Sequence, residues 1–251
     1  MQAILAVTVP FFALVLAGYL AARQQLLPES AIPGLNAFVL YFALPCMLLR
    51  FGMNTPVFDL LNPVMLAVYL VAALLLVFFT IAVTLSERIA LKDAAFGALV
   101  AAFPNTGFMG VPLLVALLGP AAAGPVICTI LADLFVTSSL CIALAQSQGA
   151  AGQGTRGAAL RALKGALSNP LPWSIAGGAQ FSVLGYKLAG PVDVVVRMLA
   201  DAASPVALFT IGAVLWRAGQ HAHTRTPLAD FLPVAAIKLF VHPLLVFLLA
   251  G

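Results

Sequence analysis

Residues Phe103-Pro104-Asn105-Thr106-Gly107-Phe108-Met109-Gly110-Val111-Pro112 interrupt an otherwise apolar run. They are poor helix sequence. Pro104 removes a backbone donor and crowds the turn before it, and Gly107 and Gly110 loosen what remains. Unwound backbone inside a bilayer survives only where it is buried in protein or lines a wet cavity. A helix restarting there presents free N–H groups carrying about half a positive charge. Such an end attracts a carboxylate without placing a full lysine charge in lipid. Asn105 is suited to cap it, Thr106 adds a hydroxyl, and Pro104 and Gly107 open the backbone. The plainer alternative is a packing kink without a ligand, common enough for a lone proline; the density of this cluster favours a substrate-binding site.

Three charges in apolar runs form a second constellation, because a charge at membrane depth is costly and points to function. Asp133 and Asp201 are candidates for proton or ion coupling, and Lys238 is a candidate to hold an anion or pair with an aspartate. An Asp–Lys pair that only fixes helix packing would look identical in sequence. Asp201, four residues before Pro205, is placed nearer the interface.

Other reactive residue types form no site. His221 and His223 stand between Arg217 and Arg225 in what reads as a solvated basic loop, and no Cys or acid cluster joins them as a metal would need. Cys46, Cys128 and Cys141 lie in apolar runs without CxxC spacing and read as packing residues. No nucleophile motif, phosphate loop or cofactor fingerprint occurs. The expectation is therefore no catalytic residue, no metal and no cofactor.

The elements that position these residues follow from composition. The 251 residues are 63% hydrophobic and only 8% charged, against roughly a quarter charged in soluble domains. Lipid is the solvent. Apolar runs near 3–22, 35–51, 61–84, 94–118, 125–146, 169–188, 192–216 and 230–250 each approach the roughly twenty residues that cross a bilayer. The first is not a signal peptide, since its first charge, Arg23, follows the run. These runs predict an all-α polytopic membrane protein of about eight transmembrane helices.

The net charge of +4 reflects topology rather than a nucleic-acid partner. Arg23, Arg88, Lys92, Arg156, Arg161, Lys164, Arg217 and Arg225 fall on one side, and Arg50, Lys187 and Arg197 on the other. The basic side is cytoplasmic, which puts the amino terminus outside and the 147–168 loop inside a cell (inner) membrane. That loop is rich in Gly, Ala and Gln, so it reads as flexible. Arg156, Arg161 and Lys164 fit either topogenic or lipid-headgroup roles.

The prolines repeat. Pro10 and Pro172, Pro28 and Pro191, and Pro45 and Pro205 are separated by 160 to 163 residues, and Gly52 and Gly212 share that register. The expected organisation is a first five-helix repeat over 1–146, a cytoplasmic loop over 147–168, and a second, incomplete repeat over 169–251, inverted in the membrane.

Phe103–Leu114, FPNTGFMGVPLL, resembles the crossover segment of the auxin efflux carrier family, which includes plant auxin exporters and bacterial malonate-transporter-like proteins. Tyr41–Leu49 (YFALPCMLL), Pro205–Leu215 (PVALFTIGAVL) and Ile237–Leu245 (IKLFVHPLL) resemble its second, seventh and eighth helices. The resemblance implies ten helices in two inverted repeats, with broken helices crossing at a carboxylate site. Pro104 would be the crossover proline and Asn105 the substrate-facing asparagine. On that pattern the chain ends after the eighth helix, and about sixty further residues, two spans and a loop, are expected to complete the native protein.

The reading that results is a secondary transporter of a small organic anion, such as malonate, malate or an auxin-like acid, working by alternating access. Its implied partners are the carboxylate, the bilayer, a coupling proton and, by resemblance, a second copy in a homodimer. The alternatives are a non-transporting membrane binding or scaffold protein, an inactive fragment without the second crossover, and a membrane enzyme. The last is weakened because no His or acid cluster is evident at one depth.

Overall fold

A computed structural model describes residues 2–54, 62–147, 170–220 and 227–250. The expectations placed on Arg156, Arg161, Lys164, His221, His223 and Arg225 lie outside the described residues. The helices are α1 (Gln2–Arg23), α2 (Glu29–Asn54), α3 (Pro63–Thr84), α4 (Leu91–Ala102), α5 (Val111–Leu118), α6 (Gly124–Ala145), α7 (Pro170–Leu184), α8 (Gly190–Gln220) and α9 (Leu228–Leu249). No strand occurs among the described residues.

Five of them, α2, α3, α6, α8 and α9, are continuous, long and apolar enough to cross a membrane, while the predicted fourth segment is split into α4 and α5. Side-chain placement agrees with a lipid surround. Phe12, Leu16, Phe78, Phe79, Phe240 and Phe247 are exposed, whereas alanines and threonines such as Ala72, Ala98, Ala203, Thr80 and Thr210 are buried. Small residues inside and large apolar ones outside are what helices packed in hydrocarbon require, since close backbone approach rather than water exclusion holds them together. The protein is an all-α, multi-pass membrane protein.

The chain forms two compact units that do not follow its linear halves. The first comprises Met1–Leu60, Asn105–Ile127 and Trp173–Arg225. Its two tightest helix crossings are made at glycine. A Cβ on Gly18 would fall on the backbone carbonyl of Phe209, and one on Gly212 on the carbonyl of Val15, so α1 and α8 touch through their main chains. Likewise a Cβ on Gly52 would stand 2.6 Å from the Ile175 carbonyl oxygen, and one on Gly178 would meet that of Leu49, joining α2 to α7. Gly18 and Gly178 are 160 residues apart, as are Gly52 and Gly212. The two crossings are thus the same contact made twice. Tyr19 and Trp216 extend the first with an edge-on ring pair at 5.4 Å, and Arg50 of α2 pairs with Asp193 of α8 at 3.3 Å.

The second unit comprises Leu61–Pro104, Cys128–Pro172 and Thr226–Gly251. Its core sets Leu76, Val77 and Ile81 of α3 against Ala94, Ala95, Ala98, Ala101 and Ala102 of α4, with Cys141, Ala145, Val234 and Ile237 closing the other sides. The buried face of α4 is all alanine, so α3, α6 and α9 approach its backbone closely. Threonine hydroxyls in α3 donate to carbonyls one turn back, Thr80 to Leu76 and Thr84 to Thr80, each at 2.7 Å. No polar group of theirs is left bare in an apolar surround.

Candidate functional site

The interruption expected from Pro104 is present. α4 runs for 12 residues, about 18 Å at 1.5 Å per residue, so from one membrane face it ends a little past the centre of a roughly 30 Å hydrocarbon layer. Phe103 has extended backbone (φ −90°, ψ 102°), as steric conflict with a following proline requires. The chain resumes as a wide turn over Thr106–Gly110 and continues into α5. Pro104 closes one segment of the second unit and Asn105 opens one of the first.

At the restart the structure corrects one expectation. Asn105 occupies the N-cap position, but its side chain makes no cap hydrogen bond. Its main-chain carbonyl instead accepts from Met109 N at 3.2 Å and Gly110 N at 3.0 Å. The turn is wide enough for one carbonyl to serve donors four and five residues on, which leaves the exposed Asn105 amide uncommitted. The Thr106 hydroxyl oxygen is buried and has no hydrogen-bond partner among the described residues. A methyl group added at Gly107 would meet nothing within 4 Å. The start of the second half-helix therefore combines an uncommitted amide, an unsatisfied hydroxyl and open space.

At the other side of the break, Pro104 deprives Val100 of the N–H its carbonyl would receive four residues on, and the carbonyls of Ala101 and Phe103 lose theirs as the helix ends. Side chains of α9 take these places. Lys238 Nζ donates to Val100 O at 2.6 Å and to Phe103 O at 2.8 Å, and the ring of His242 hydrogen-bonds the Ala101 backbone. Two residues four apart on one helix thus satisfy the frayed end of another. A cation also suits the negative end of the α4 dipole. The turn Ile237–Val241, in which the N–H of His242 reaches back five residues to Ile237 O, lies between them.

Asp133 belongs to the same unit and is fully buried. Tyr69 Oη donates to its Oδ2 at 2.8 Å, and Thr137 Oγ1 to its Oδ1 at 3.2 Å. The Tyr69 ring lies 6.3 Å from that of His242, and Lys238 is close enough for its charge to act on Asp133. The structure therefore gathers Asp133 and Lys238 as candidates and adds Tyr69 and His242, which sequence reasoning missed. The residues come from α3, α6 and α9, so only the fold unites them; the one legible signal was the four-residue spacing of Lys238 and His242 in an apolar run. Asp201 belongs to the first unit. It is exposed and shares a recess of about 250 Å³ with Met47, Arg50 and Ser204. Among the described residues no cluster of His, Cys, Asp and Glu could hold a metal ion.

Comparison with known proteins agrees with this architecture. The chain is 29% identical over 253 residues to a protein of Rhizobium meliloti (strain 1021) named "Putative malonate transporter", a match covering 99% of this chain and 77% of that one. The sequence profile of the membrane transport protein family matches residues 3–250. With a helix interrupted at Phe103–Gly110 and a family match along nearly its whole length, the chain belongs to the membrane transport protein family, that of the auxin efflux and malonate-transporter-like carriers.

Proposed function

We propose that this membrane transporter carries a small organic anion bearing a carboxylate, by alternating access about the break between α4 and α5. The observation that carries the reading is the restart of the helix at Thr106. Asn105, Thr106 and Gly107 offer an amide, a hydroxyl and backbone donors at the positive end of a half-helix, and Pro104 keeps the chain from closing over them. The malonate named for the relative is a carboxylate of this class. Asn105 is neutral, so it binds an anion without the roughly 2.5–3.5 kcal/mol cost of a charge at the membrane centre.

A hydrogen bond to a charged group contributes about 1.5–3 kcal/mol. Asn105→Ala is therefore expected to weaken carboxylate binding about tenfold to a hundredfold. Thr210→Ala, which removes a hydroxyl bonded only within its own helix, should change affinity less than about twofold. Equilibrium binding of malonate to folded, monodisperse samples measures both. Unchanged affinity in Asn105→Ala would reduce the break to a packing kink.

The same proposal sets the amino terminus outside an inner membrane, on the eight-to-three division of Lys and Arg between the two sides. In a background without Cys46, Cys128 and Cys141, Gly190→Cys should react with an impermeant maleimide added to intact cells, and Gly152→Cys only after lysis. The opposite pattern inverts the orientation.

A further inference from the structure

In carriers with discontinuous helices, the carbonyl-rich C-terminal end of a half-helix is where a coupling cation is held. Here that end is α4, and its free carbonyls are already gripped by a cation belonging to the protein. We infer that the Lys238 ammonium is a tethered substitute for a dissociable cation: it fills an alkali-ion position formed by the carbonyl oxygens of Val100 and Phe103, near the carboxylate of Asp133.

The geometry favours this over a packing role. At 2.6 and 2.8 Å, the ammonium bonds two carbonyls from separate positions of the broken turn, a convergence of oxygens that also suits a hard monovalent cation. Asp133 lies within electrostatic range and supplies the negative charge that a bound cation would neutralise. Among the described residues, the other polar groups around Asp133 are the Tyr69 and Thr137 hydroxyls, which donate to it, and the His242 ring, which the Ala101 backbone engages. A recess of about 480 Å³ within the same unit, with Arg88, Asp93 and Asp230 among its lining residues, extends to Val100. A lysine fixed there removes any need for sodium.

The inference rests on the transporter reading for its meaning, but its test reads cation binding and not transport or carboxylate affinity, so the two fail separately. Thermal unfolding of the purified protein is followed in sodium chloride and in choline chloride at equal ionic strength. The wild type should melt at the same temperature in both. Lys238→Ala opens the position, and when sodium exceeds its Kd about tenfold it should melt about 3–6 °C higher in sodium than in choline. Adding Asp133→Asn to Lys238→Ala should abolish that difference. Lys238→Ser, which leaves a hydroxyl to join the cation's oxygen shell, is read in the same way if the alanine variant does not fold in choline. Folding of either variant in sodium alone supports the assignment. A sodium response in the wild type, no response in both variants, or failure of both to fold in either salt would overturn it.

Discussion

Gly212→Leu is expected to remove the folded protein almost entirely. At this position α8 lies directly on the carbonyl of Val15, so the added side chain has no free volume and no flexible neighbour to displace. The helices can only separate, which also pulls apart the Tyr19–Trp216 ring pair and the Ala22, Ile32 and Ala213 cluster beside it. Overpacking costs about 1–3 kcal/mol and more where, as here, only backbone stands in the way, a large part of a total stability of roughly 5–15 kcal/mol. Gly178→Leu, at the equivalent crossing of α7 on α2, should fail to a similar degree. Gly34→Ala meets nothing within 4 Å, lies inside a helix and should stabilise by about 0.5–1 kcal/mol. Thermal unfolding in detergent, followed by tryptophan fluorescence, distinguishes these. A Gly212→Leu protein melting within about 2 °C of the wild type would show that the crossing is not tight.

The second large effect concerns Asp133. A fully buried carboxyl held by two hydroxyls is suited either to carry a coupling proton, the role expected of it from the sequence, or to lock α3 against α6, and the first role makes a prediction. Asn is nearly isosteric with Asp; its oxygen accepts from one of the two hydroxyls and its NH2 donates to the other, so Asp133→Asn should fold, yet it cannot exchange a proton with its surroundings. Uptake of a labelled dicarboxylate into proteoliposomes under an inward proton gradient should fall at least about tenfold, to the level found without a gradient, a loss of about 1.4 kcal/mol or more. Carboxylate affinity should stay within about twofold. Tyr69→Phe separates the structural contribution: it leaves one carboxylate oxygen without its donor and should destabilise by about 1–3 kcal/mol while gradient-driven uptake persists in the protein that folds. Gradient-driven uptake surviving in Asp133→Asn would assign the acid to packing alone.

Much of this architecture is legible in sequence because lipid imposes simple rules. Apolar runs near twenty residues mark the spans, and their boundaries fall within a few residues of the helices found. The largest departure is α2, which begins at Glu29 rather than near 35, since a 3₁₀ turn over Glu29–Ala31 leads into α-helix at Ile32 and Pro33 falls in that helix's first turn, where a missing N–H costs little. The break was equally legible: Pro104 forbids a helical hydrogen bond in any tertiary setting. The register of Gly52 with Gly212 was visible too, but not that Gly18 and Gly178 are their partners. A glycine shows which position has no side chain and not what lies against it.

The sequence by itself determined that the chain is helical, membrane-embedded and interrupted at residues 103–110, because composition, run length and proline chemistry act locally and need no knowledge of neighbours. Tertiary structure alone decided how the ends of that interruption are satisfied. Asn105 gave up its cap because a wide turn lets its carbonyl serve two N–H groups, and the free end of α4 went to Lys238 and His242, more than 130 residues away. Buried polar groups must find partners wherever packing brings a donor to an acceptor. That choice depends on which helices cross and at what depth, and so on the whole fold rather than on any stretch of it.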